Sequence, residues 1–116
     1  MSPQTLPASR RLRRRTEFQR VFDAGRRVHG RYLTVLSAAA PGTSSRLGIV
    51  ASRRIGGAVV RNRAKRLIRE AFRVSAHPSA AVDLVVIAKS GAHELAAAEL
   101  QRDYLLALRR LGLSIL

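Results

Sequence analysis

The sequence has no cysteine and no tryptophan, and only five of its 116 residues are aromatic. Without cysteine there is no disulfide framework and no thiolate metal site, which fits a reducing compartment, the cytoplasm. With so few rings, a platform of exposed aromatics for stacking successive bases is not expected. Acids are scarce as well. No apolar run approaches the ~20 residues of a membrane-spanning helix. The arginines near the N-terminus are not followed by the apolar stretch of a secretory signal. Walker-type loops, nucleophile elbows and HExxH patterns are all missing.

Catalytic groups are correspondingly hard to assemble. His29, His77 and His93 are far apart in the chain, whereas a two-histidine nuclease needs a pair converging on one phosphate. Glu17, Asp23, Glu70, Asp83, Glu94, Glu99 and Asp103 contain only one close helical pair, Glu99 with Asp103, toward the polar side of its helix. Surface solvation is the expected role of that pair. The chain reads as a binder.

What is present is positive charge. Twenty-two basic residues against seven acidic ones leave a net charge of +15, and twenty of the bases are arginine. That excess predicts strong, salt-dependent attraction to a polyanion, either nucleic acid or an anionic membrane. An apolar content of 47% argues for a folded core, and the length suits one domain. Residues 1–9 read as a loose tail, and residues 10–116 as a single folded domain.

The chain is organised around the stretch from Arg53 to Arg73. Read as a helix from about Ala58, at roughly 100° per residue, it separates into two faces. Val60, Ala64, Leu67, Ile68, Ala71, Phe72 and Val74 fall on one side, a stripe wide enough to pack on a sheet. Asn62, Arg63, Lys65, Arg66, Arg69 and Arg73 fall on the other, with Arg61 at the border. Only Glu70 interrupts the positive face, so like charges repel at i,i+4 spacing. Such a face suits phosphates better than water. Gly56-Gly57 precedes the helix, either as a plain turn or as a close-approach anion site at a helix N-terminus. Arg53 and Arg54 stand just before it.

Elsewhere the pattern alternates between helix and strand. After the basic run Arg10–Arg15, Thr16 and Gln19 predict a capped short helix ending at Gly25, with Phe18, Val21 and Phe22 on one side. Val21 reads as core; the two phenylalanines suit either core or ligand contact. Val28 to Ala39 reads as one strand with a possible break at Gly30-Arg31. Arg46 to Ser52 forms another, whose Gly48, Val50 and Ser52 side is small enough to leave room against the sheet. The basic helix is expected to run to about Ala76 and to close at His77-Pro78-Ser79. Val82 to Ala88 is apolar on both faces, hence central. A last helix, from about Ala96 to Leu111, places Ala97, Leu100, Tyr104, Leu108 and Leu111 on one face. The fold class is α+β, a small mixed sheet packed by helices.

A membrane-surface role would need the apolar face of the basic helix for lipid, and strand–helix–strand folding buries that face. Nucleic acid uses the other face and leaves the core intact. Helix-turn-helix spacing, zinc ligands and an aromatic RNP pair are absent. A structured RNA met through its backbone suits a fixed arginine-rich helix, because arginine forks onto phosphate. Six such contacts predict that log K falls against log salt with a slope of roughly −4 to −5.

Arg61-Asn62-Arg63-Ala64-Lys65-Arg66-Leu67-Ile68-Arg69, with its approach from Gly48 to Val60, resembles the RNR signature of the bacterial ribonuclease P protein component. The resemblance extends over most of the chain from about Leu12. It implies αβββαβα order in a sandwich like the second domain of ribosomal protein S5, with a left-handed strand–helix–strand connection. It implies a subunit that binds a catalytic RNA and the 5′ leader of precursor tRNA, with the catalytic centre in the RNA. Magnesium would be bound mainly by that RNA and not tightly by the protein; no membrane or obligate protein partner is expected. Arg61, Asn62, Arg63, Lys65, Arg66 and Arg69 would meet the catalytic RNA. Phe18, Phe22, Ser52, Arg53, Arg54 and Lys89 would line the leader cleft. Gly57 replaces the family's usual asparagine, and Leu36 stands where many members carry an aromatic, which would weaken stacking on the leader. The competing reading is a ribosomal-type structural RNA binder with no role in cleavage.

Overall fold

A computed structural model describes residues 6–75 and 81–113, and its four strands form one mixed sheet between unequal helical layers. In chain order the elements are α1 (Arg15–Ala24), β1 (Arg26–His29), β2 (Leu33–Ala39), β3 (Arg46–Val50), α2 (Ala58–Val74), β4 (Val82–Ala88) and α3 (Ala97–Arg110). The sheet order is β1-β2-β4-β3, antiparallel except for the β3–β4 pair. The α+β class and the αβββαβα order both hold. β4 is central, as its two apolar faces require.

Helices α2 and α3 cover one face, over a core that includes Leu33, Val35, Ile68, Phe72, Leu84, Val86, Leu100, Tyr104 and Leu108. Helix α1 alone covers part of the other, over a smaller buried set of Leu12, Val21, Leu36 and Val85. Leu36 is therefore wholly buried beneath α1 rather than open to a ligand, and leucine there fills a core position.

Several sequence expectations change in detail. The segment Val28–Ala39 does divide at the expected break, Gly30-Arg31: the chain reverses there, and the Gly30 N–H donates to the Leu33 carbonyl (2.8 Å). Helix α1 is not capped by Thr16 and Gln19. It starts two residues earlier, with Arg14 as N-cap, and the Glu17 carboxylate accepts from the backbone N–H groups of Arg13 (2.9 Å) and Arg14 (2.8 Å). An ionised carboxylate satisfies free amides at a helix N-terminus better than an amide side chain does. Helix α2 ends at Val74, and Ala76 and His77-Pro78-Ser79 lie outside the described residues. Val74 is 48% exposed instead of buried, since it falls at the rim of the apolar stripe in the last turn. Ala97 is exposed at the first position of α3.

The expected loose tail also differs. Residues 1–5 lie outside the described residues, but Leu6 is 6% exposed in the larger core and Ala8–Arg10 form a helical turn. Leu12 N–H donates to the Leu47 carbonyl (2.9 Å), so this segment lies along the outer edge of β3. Covering an edge strand and burying two leucines supplies the ordering force that composition alone does not reveal.

Strand register arranges the α1-side face into three rows. The first is Ala38, Asp83 and Arg46; the second is Arg27, Leu36, Val85 and Gly48; the third is His29, Thr34, Ile87 and Val50. The second row lies under α1. In the third, Ile87 and Val50 are half-buried on the margin of the smaller core, together with Phe18 and Phe22.

Candidate nucleic-acid interface

The approach to α2 is built from Ser52 and the helical turn Arg53–Ile55, all of it exposed except Ile55. Gly56 follows with φ +147°, a conformation that side-chain-bearing residues rarely adopt, and a β-carbon there would meet Val60 at 2.8 Å. This bend turns the chain sharply into α2. Gly57 then serves as N-cap, without a side chain to accept from the first amides. The end of α2 nearest Arg53 and Arg54 is thus rich in donors and positive charge.

The basic side of α2 is not one uniform surface. Asn62, Arg63 and Arg66 are exposed, whereas Arg61, Lys65 and Arg69 form a half-buried i,i+4 ridge. Lys65 and Arg69 line a cavity of about 170 Å³ with Arg11, Leu12, Phe18 and Ile49, beside the outer edge of β3. Arg63 turns the other way and donates to the His93 carbonyl (2.6 Å). Arg73 is paired with Glu70 (2.6 Å), whose negative charge offsets it on that face. The helix therefore presents an outward face of Asn62 and Arg66 and a cleft-side ridge of Lys65 and Arg69.

Phe18 and Phe22 are both half-buried and pack on the smaller core, so each is core on one side and open on the other. Gly48 lies directly under Phe18: the room left by the small side of β3 is taken up by that ring. Ser52 continues past the end of β3 on the way to α2. Lys89 is less free than a phosphate ligand would be, because its ammonium donates to the Gly30 carbonyl (2.6 Å) at the β1–β2 turn.

Sequence reasoning missed the third row. His29 Nδ1 and Thr34 Oγ1 stand 3.2 Å apart at one end of it, and Ile87 and Val50 continue it toward Ser52. Only strand register brings these four residues together, and no local signal marks them.

The two histidines among the described residues do not form a pair. His29 lies on the α1 side, while His93 sits in a helical turn against α2 on the other side; His77 lies outside the described residues. Glu99 and Asp103 have local work rather than plain solvation: Glu99 accepts from the Ala96 N–H (3.1 Å), and Asp103 from the Tyr32 N–H (3.3 Å). Among the described residues no group of three or more His, Cys, Asp and Glu could hold a metal ion. No helix among them is long and apolar enough to cross a membrane.

The sequence pattern of the family described as Ribonuclease P matches residues 6–112. A ribonuclease P protein component from Desulfovibrio desulfuricans is 41% identical over 112 residues, covering 92% of this chain and 86% of its own. The solved structure of a Staphylococcus aureus RNase P protein mutant with defective mRNA degradation activity superposes with a TM-score of 0.81 at 32% identity, covering 91% of each chain. The RNase P protein from Thermotoga maritima gives 0.74 at 33% identity, covering 86% of this chain and 96% of its own. With fold, signature helix and relatives in agreement, the chain belongs to the bacterial ribonuclease P protein component family.

Proposed function

We propose that this protein binds the catalytic RNA of ribonuclease P through α2 and holds the 5′ leader of precursor tRNA beside α1. The observation that carries the reading is the division of labour on α2. Ala64, Ile68, Ala71 and Phe72 are spent on the core, while Asn62 and Arg66 project outward with no acid between them and Arg63, also exposed, turns toward His93. A face of that kind gains from phosphate contact and counterion release. Arg53, Arg54 and Arg61 extend it around the start of the helix, and Arg69 with Lys65 turns it toward the cleft.

The leader takes the cleft side. Phe18 and Phe22 offer ring surface for unpaired bases, and Ser52, Arg53, Arg54 and Lys89 offer donors for the backbone. Leader removal is hydrolysis performed by the RNA, and the protein supplies binding and alignment. Magnesium is held mainly by that RNA. The complex works in the cytoplasm.

Mixing the purified protein with a bacterial ribonuclease P RNA and precursor tRNA at low magnesium tests this reading. Mature 5′ ends that require both protein and RNA are expected. Cleavage by protein alone, or tight RNA binding with no effect on cleavage, would overturn it.

A further inference from the structure

We propose that Asp83 is a positioning residue for leader recognition, setting where α1, and with it Phe18, stands over the cleft. The inference rests on the leader-cleft reading above. Asp83 touches no ligand. It is wholly buried in the first row of the α1-side face. Arg46 forks onto it from β3, with Nε 2.9 Å from Oδ1 and Nη2 2.7 Å from Oδ2. Arg20, from α1, donates to the same Oδ2 and also to the Ala39 carbonyl (2.9 Å). The remaining Arg46 nitrogen donates to Glu17 Oε2 (2.9 Å), and Glu17 caps the start of α1.

One carboxylate thus holds α1 at two points, Glu17 through Arg46 and Arg20 directly. Phe18 lies between those two points in the chain. The sheet repeats the relation: Arg46 precedes Gly48 by two residues on the same face, and Gly48 is the floor under Phe18. The ion row and the row beneath the ring are neighbours, roughly 7 Å apart along the strands. The apolar grip on α1 is small: among the described residues Leu12, Val21, Leu36 and Val85 are buried there, with Phe18 and Phe22 half-buried at its margin. Such a grip permits sliding and tilting, which a planar arginine fork on a buried carboxylate does not. A stacking ring whose support loosens by a fraction of an ångström loses much of its selectivity for the bound geometry.

The test uses holoenzyme reconstituted with a bacterial ribonuclease P RNA and wild-type, Asp83→Asn or Arg20→Met protein. Affinity is measured for precursor tRNA and for the same tRNA without its leader, alongside thermal unfolding of each protein. The affinity gained from the leader is expected to fall about tenfold in both variants, with leaderless tRNA changed less than about twofold. Equal losses on both substrates, tracking a lowered melting temperature, would reduce Asp83 to a plain structural role. So would an intact leader gain in Arg20→Met, whose half-exposed side chain can be replaced without opening the core even if Asp83→Asn fails to fold. A wild-type holoenzyme with no leader gain would sink the cleft assignment itself, a result distinguishable from the other two.

Discussion

Phe18 rests on Gly48 so closely that a β-carbon at position 48 would stand 2.6 Å from Cε1 and 2.7 Å from Cζ of the ring. The same β-carbon would be 3.1 Å from Leu12 Cβ. Gly48→Ala must therefore push the ring outward or lift α1, and overpacking of this kind costs about 1–3 kcal/mol. Thermal unfolding should show the loss, and leader-dependent affinity should fall with it. An unchanged melting temperature would mean that the ring swings aside freely.

Arg66 and Arg73 lie on the same helix but should behave differently toward RNA. Arg66 is exposed on the outward face, whereas Arg73 is already paired with Glu70. Arg66→Ala should flatten the slope of log K against log salt by about 0.7–0.9, the share of one phosphate contact. Arg73→Ala should flatten it less. Titrations at several salt concentrations decide, and equal effects would refute the distinction.

Glu17 links stability to acid pH. Hydrogen bonds from the Arg14 and Arg13 amides, and then the Arg46 charge, hold its carboxyl below the ordinary glutamate value. A lowered value stabilises the fold above the unfolded glutamate pKa of about 4.3, and the contribution vanishes as pH falls through the folded value. Glu17→Gln should cost about 1 kcal/mol near neutrality, a modest figure because solvent screens the group. The gap between the two proteins should narrow as pH falls below the unfolded glutamate pKa and close once pH drops below the lower folded value. A gap that persists into strong acid would show that charge is not its source.

Gly57 caps α2 with an extended backbone (φ −75°), and a β-carbon there would meet nothing within 4 Å. Gly57→Asn should therefore add a side-chain acceptor for the first amides and gain a few tenths of a kcal/mol. The melting temperature should rise by about 1–2 °C. A fall would indicate that the added side chain obstructs the start of the helix.

Much of this was legible because it is local. The two faces of α2, the two apolar faces of β4 and the apolar stripe of α3 follow from residue spacing, and the structure retains them. Boundaries were less legible. Glu17 displaced Thr16 and Gln19 at the α1 cap because a nearby carboxylate competes better for free amides. The break at Gly30-Arg31 was legible, but that it is a reversal and not an interruption was not, since a short loop can end in either continuation or return until a partner strand is present. Leu6 joined the core only because β3 has an open edge to cover.

By itself the sequence determined the charge of α2, the stripe it buries, the α+β class and the family. It did so because helical and strand periodicity, and the sign of a side chain, are properties of neighbours in the chain. Only the tertiary structure decided that Arg46 and Asp83, 37 residues apart, and Arg20 and Asp83, 63 apart, meet under α1. Only strand register aligned His29, Thr34, Ile87 and Val50 in one row. Those relations depend on which strands pair and in what order, and a one-residue slip would undo every one of them.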